Sequence, residues 1–168
     1  YLSTFSKTLA PGLRLGWIVA PEVVISKIIQ AKQGADLHTS SLVQYLVDDI
    51  CQRGLVQAHV KKIRQIYRER RDVMLQAMEV HFPPEVKWTR PQGGLFLWVR
   101  LPDGMDAQEL LRIAVEEKVA FVPGTAFYPG GDGGHCCLRL NFSNAKPEMI
   151  EKGIARLGRA IERQMADY

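Results

Sequence analysis

The chain has 168 residues, 46% of them hydrophobic and 24% charged, with a formal net charge of +4. That balance excludes a disordered tail, and no apolar run reaches the ~20 residues a bilayer span needs. Nothing at the N-terminus reads as a signal peptide, so a cytoplasmic protein is expected, folding as one domain or as a piece of a larger one.

The opening Tyr-Leu-Ser-Thr-Phe-Ser reads like the middle of a domain, an apolar stretch with no lead-in. Leu13 to Ala20 is short, apolar and bounded by Pro11-Gly12 and Pro21, which predicts a buried strand. Pro21 suits the first turn of a helix carrying Val24, Ile25, Ile28 and Ile29 and stopping near Gly34. Thr39, Ser40 and Ser41 offer N-caps for a second helix, with Leu42, Val43, Leu46, Val47 and Ile50 on its apolar face and Gly54 as terminator.

A long helical pattern then runs from about Leu55 to Val80 and breaks at Pro83-Pro84. Beyond it the period changes. Val86 to Trp88, Gly94 to Leu101, Val119 to Val122 and Cys136 to Phe142 read as strands, with a helix from Asp106 to about Lys118 among them. A last helix from Pro147 to about Met165 is expected to bury Ile150, Ile154, Leu157 and Ile161. The sum is a small α+β layer, three or four strands covered by two helices, after a helical strut.

Three cysteines, Cys51, Cys136 and Cys137, make an odd count without metal-ligand spacing. Neighbours on a strand point to opposite faces, so the plain reading is free buried thiols in a reducing compartment. Lys61, Lys62, Arg64, Arg68, Arg70 and Arg71 cluster in the long helix, but Glu69 and Asp72 interrupt them and no nucleic-acid motif accompanies them. A solvated helix face explains them better than a nucleic-acid surface.

The stretch Thr4-Phe-Ser-Lys-Thr-Leu-Ala-Pro-Gly-Leu-Arg-Leu-Gly-Trp17 carries the chemistry. Lys7 stands among hydroxyls and apolar residues, where desolvation favours the neutral amine that condenses with an aldehyde. Thr4 and Ser6 bring hydroxyls, and Arg14 adds a planar cation suited to a phosphate dianion. A Lys-plus-Arg cluster alone would more often be a surface lysine and a structural arginine. No Walker-type phosphate loop is present.

The complete string resembles the cofactor-lysine motif of fold-type-I pyridoxal 5′-phosphate (PLP) enzymes, the class I/II aminotransferases. Three further segments resemble that family in the same order: Pro91 to Trp98 (PQGGLFLW), Val119 to Tyr128 (VAFVPGTAFY) and Leu138 to Ser143 (LRLNFS). The segment from Ala31 to Thr39 looks most like the group of 2-aminoadipate, kynurenine and aromatic aminotransferases. The resemblance implies an α/β fold, the C-terminal portion of such a transferase. Residues 1–55 would trail the large PLP-binding domain, and residues 56–168 would form an interdomain helix and a small C-terminal domain. It implies Lys7 as the aldimine-forming lysine, Thr4, Ser6 and Arg14 as phosphate ligands, and Arg139 as the clamp on the substrate α-carboxylate.

The reaction implied transfers an amino group from an L-amino acid to a 2-oxo acid, commonly 2-oxoglutarate, in a homodimer without membrane or nucleic-acid partners. These 168 residues are expected to be inactive alone, since the resemblance puts the ring-stacking aromatic and the pyridine-nitrogen aspartate upstream. Two alternatives stay open: an aminotransferase-like sensing domain of a GntR-type transcription regulator, and a folded interaction piece. His38 is expected to pack or cap, Gly130 to Gly134 to form a loose loop rather than a phosphate cradle, and Phe127 and Tyr128 to line a pocket or the core.

Overall fold

A computed structural model of the chain describes residues 1–166; the last two positions of the segment 56–168 lie outside the described residues. It divides into two compact units, residues 1–65 and residues 66–168. The first carries strand β1 (Leu2–Thr4), a 3-10 turn (Pro11–Leu13), strand β2 (Gly16–Ile18) and helices α1 (Glu22–Ala35) and α2 (Ser41–Gln52). Helix α3 (Leu55–His81) begins in the first unit and ends in the second. The second continues with β3 (Lys87–Trp88), β4 (Phe96–Arg100), α4 (Ala107–Glu116), β5 (Val122–Pro123), β6 (Cys137–Asn141) and α5 (Pro147–Ala166). No helix among the described residues is long and apolar enough to cross a membrane.

In the first unit β1 and β2 form a two-stranded antiparallel hairpin, Thr4 opposite Gly16 and Leu2 opposite Ile18. The expected buried strand is therefore shorter than Leu13 to Ala20, and it is not buried. Trp17 and Ile18 are each 39% exposed and Val19 is 61% exposed. A lone hairpin has two open faces, and apolar composition alone supplies no covering layer. The Trp17 ring meets that of Phe5, ring centroids 4.9 Å apart. Pro21 takes the N-cap position of α1, just outside the first turn. Ser40 is the N-cap of α2, yet its side chain makes no capping bond. Of the α2 apolar positions only Val47 is buried, while Leu42 and Leu46 are exposed.

The second unit has a conventional core. Its sheet runs β3-β4-β6-β5, every pair antiparallel. Leu97 and Val99 of β4 pair with Leu140 and Leu138 of β6, and all four are buried. Ile150, Ile154, Leu157 and Ile161 recur at helical spacing on α5 and join this core, as their periodicity predicts. Helix α4 starts where expected. The Asp106 carboxylate accepts from the backbone N–H of Gln108 at 2.6 Å and of Glu109 at 3.3 Å, satisfying two otherwise orphaned donors. Gln164 Nε2 donates to the Asp106 carbonyl at 3.1 Å, tying α5 to that same cap.

Strand β5 lies later than the expected Val119 to Val122. Lys118, at φ 60°, ends α4 in a left-handed residue, and Val119 N–H still bonds back to the Ala114 carbonyl. Only Val122 and Pro123 reach register with β6. The cysteines are free, but Cys137 alone is buried; Cys51 and Cys136 are half-buried. The Gly130 to Gly134 loop is less loose than expected, because the Tyr128 ring lies against Gly133 and Gly134, where a Cβ would collide with it.

Candidate active site

Lys7 lies in the turn that joins β1 to β2. Phe5 shapes that turn: its carbonyl accepts from Leu9 N–H at 2.8 Å and Ala10 N–H at 3.1 Å, and its own N–H donates to the Leu15 carbonyl at 3.0 Å. The chain thus leaves β1 at Thr4, loops through Lys7 and returns beside its starting point. Thr4 Oγ1 lies 2.9 Å from both Ser6 Oγ and the Leu15 carbonyl and accepts from Ser6 N–H at 3.1 Å. A threonine has one hydroxyl hydrogen and a carbonyl only accepts, so Thr4 donates to Leu15 and accepts from the Ser6 hydroxyl. The two hydroxyls are fixed as one unit.

Arg14 caps the 3-10 turn in the left-handed region, φ 49° and ψ 33°, two residues before β2. Its guanidinium donates to the Pro11 carbonyl at 3.1 Å, leaving most of its N–H groups facing solvent. Non-glycine residues adopt this backbone at a cost, and such conformations gather at ligand sites. Lys7 and Arg14 are both exposed, and neither has an acidic partner among the described residues. The expected desolvation of Lys7 is not met within this chain, where the turn stands open to water.

Arg139 belongs to the second unit, on β6. Its register partners are Trp98 on β4 and Val122 on β5. Leu138 and Leu140 point into the core, so Arg139 projects from the opposite face, half-buried. It also lines a groove of about 380 Å³ with Phe121, Val122, Asn141, Ala145 and Met149. Just beyond, Asn141 Oδ1 accepts from both Ser143 N–H and Ser143 Oγ at 2.9 Å, a local turn that ends the strand.

The family model for aminotransferases of class I and II matches residues 1–157. The chain belongs to this family. It is 46% identical over 166 residues to the 2-aminoadipate transaminase of Thermus thermophilus, covering 99% of this chain and 41% of that protein. It superposes with a TM-score of 0.92 and 44% identity on the crystal structure of an α-aminoadipate aminotransferase from Thermus thermophilus, covering all of this chain and 43% of that one. That structure is a complex with N-(5′-phosphopyridoxyl)-L-leucine. A helix-turn-helix transcriptional regulator of Bacillus subtilis is also similar, 35% identical over 162 residues, covering 96% of this chain and 33% of the regulator. The chain therefore spans well under half the length of the relatives it matches.

Within this family member, the hairpin sets Thr4, Ser6, Lys7 and Arg14 on one short excursion of the chain, while Arg139 stands in the other unit. Two cations without acidic partners among the described residues, and two coupled hydroxyls, suit an anion that carries an aldehyde. The sequence reading missed the environment of Arg139. Phe127 lies against the Arg139 guanidinium with Phe96, and it meets Trp98 edge-on. Tyr128 packs on the glycine loop instead. His38 is exposed, its ring nitrogen 3.0 Å from the Thr39 carbonyl, and it does not cap α2.

Proposed function

We propose that this chain is the C-terminal part of a PLP-dependent aminotransferase that moves an amino group from an L-amino acid to a 2-oxo acid, with 2-oxoglutarate the expected acceptor. The observation that carries this reading is the β1–β2 excursion, which presents Lys7 beside a fixed Thr4–Ser6 hydroxyl pair and a largely unengaged Arg14. The donor set fits the cofactor. A phosphate dianion needs cationic and hydroxyl donors together, and an aldehyde needs a primary amine free of an ion pair. On this reading residues 1–55 trail the large domain, and residues 56–168 are the interdomain helix and small domain. The donor comes from the 2-aminoadipate, kynurenine and aromatic set, and the enzyme is a cytoplasmic homodimer.

The division of labour follows from the side chains. Thr4, Ser6 and Arg14 bind the phosphate. Lys7 Nζ would hold the cofactor, and its amine would take the substrate Cα proton and return it. Arg139 orients the substrate by a two-point contact with its α-carboxylate. Bound PLP supplies the electron sink for charge developing at Cα.

Borohydride reduction of the PLP-loaded full-length protein, followed by peptide mapping, tests the assignment. The expected result is a phosphopyridoxyl group on Lys7 and loss of turnover. A label on another lysine, or none in a preparation that still transaminates, overturns it. A sensing domain would carry the same label without turnover, so amino transfer separates the enzyme from the regulator.

A further inference from the structure

The Cζ of Arg139 lies 4.0 Å from the centroid of the Phe96 ring and 4.6 Å from that of Phe127. Phe127 is braced in turn by Trp98, ring centroids 5.5 Å apart and planes at 76°. The sheet explains how these residues meet. Trp98 is the direct partner of Arg139 across β4 and β6, and Phe96 stands two residues along β4 on the same face. Phe127 arrives from elsewhere, at the end of the 3-10 turn Gly124–Phe127 that follows β5.

The contacts that Arg139 makes are as informative as those it lacks. A half-buried structural arginine ordinarily satisfies its N–H groups with carbonyls or carboxylates. Among the described residues the Arg139 guanidinium makes no hydrogen bond and no ion pair; its partners are the two rings. A ring engages a guanidinium through its π face, whereas an acceptor engages the N–H edge in the guanidinium plane. The two modes do not compete.

We propose that Phe96 and Phe127 are positioning residues for the carboxylate-binding step: their ring faces hold the Arg139 guanidinium and leave its N–H groups for the substrate α-carboxylate. An acidic neighbour would also fix the arginine, but it would occupy the same donors and neutralise the charge. The rings immobilise a long, flexible side chain before substrate arrives, so less ordering entropy is lost on binding. The inference rests on the assignment of Arg139 given above, and the experiment separates the two.

In the full-length holoenzyme, Phe96→Leu and Phe127→Leu are compared with Phe96→Tyr, Phe127→Tyr and Arg139→Lys. Three quantities are measured: KM and kcat for the amino acid, the half-reaction rate with the corresponding primary amine lacking the carboxylate, and the Kd of a simple monocarboxylate inhibitor. Each leucine variant should raise KM and Kd about tenfold. Its kcat and the rate with the carboxylate-free amine should stay at wild-type levels. The tyrosine variants keep a π face and should behave as wild type. Phe127 is 42% exposed, so its truncation leaves the buried core intact and reports even where Phe96→Leu folds poorly. A parallel loss with amino acid and amine marks general damage and overturns the proposal. So do unchanged KM and Kd in both leucine variants when Arg139→Lys raises them. Unchanged values in Arg139→Lys itself overturn the carboxylate assignment, and the positioning role with it.

Discussion

Gly16 and Ser3 approach so closely across the β1–β2 hairpin that a Cβ on Gly16 would stand 2.9 Å from the Ser3 carbonyl oxygen. Ser3 adjoins Thr4, whose hydroxyl is fixed between Ser6 and Leu15. A Gly16→Ala substitution must therefore push the β1 backbone aside at the end proposed to hold the phosphate. The hairpin is largely exposed, so the unfolding midpoint should move little. Loss of one well-aimed donor to a charged group should weaken PLP binding about tenfold. Titration of the apo-protein with PLP, followed by absorbance, measures this. Wild-type affinity in a folded variant would contradict the role given to the hairpin.

Lys7 should be separable from stability altogether. It is exposed and makes no ion pair among the described residues, so Lys7→Arg removes no packing and no pairing. It does remove an amine that can condense with an aldehyde and carry a proton at neutral pH. Turnover should fall by at least about a hundredfold, the lower end of what a positioned acid–base group contributes, while the thermal midpoint is unchanged. Paired kinetic and melting measurements decide this, and substantial turnover in the variant would displace Lys7 from its assigned role.

The helices and the lysine excursion were legible because their determinants are local. Helix α5 follows from one run of apolar residues at helical spacing, and the Lys7 segment is contiguous from Thr4 to Trp17. Asp106 could be read as a cap because a cap acts on the next three residues. The Arg139 environment was not legible for the opposite reason. Phe96, Phe127 and Arg139 come from three separate segments, and they meet only through the β4–β6 register and the turn after β5. The apolar run of β2 predicts a buried strand, yet β2 is exposed in this chain because burial depends on what covers a strand. Apolar composition states only that covering would be favourable.

Removal of the Asp106 cap should cost stability locally. Asp106→Ala leaves Gln108 N–H and Glu109 N–H without their acceptor at the start of α4. The expected loss is about 1 kcal/mol, and Asp106→Asn should recover most of it, since an amide oxygen caps nearly as well. The Asp106 backbone carbonyl, which receives Gln164 Nε2, is untouched by either change. Urea unfolding with an unchanged slope would show the difference in midpoint. Equal stability of the alanine variant and wild type would mean that water replaces the cap without loss.

The three cysteines should react with iodoacetamide in an order set by burial and charge. Cys51 and Cys136 are half-buried, whereas Cys137 is buried on β6. Desolvation pushes the Cys137 thiol above its usual range, and a charge on neighbouring Cys136 pushes it further. The thiolate is the reactive form, so a raised pKa lowers the reactive fraction at any pH below it. At pH 8 the native protein should therefore lose Cys51 and Cys136 to alkylation well before Cys137. The Cys137 rate should climb close to tenfold, by about one logarithmic unit, for each added pH unit while the thiol stays below its pKa. Unfolding in guanidinium removes both the burial and the fixed neighbour and should bring the three rates together. Peptide mapping against time follows all three sites at once. Native Cys137 labelling as fast as Cys51 at pH 8 would mean that β6 opens readily to reagent and that the second unit's core is less closed than its packing indicates.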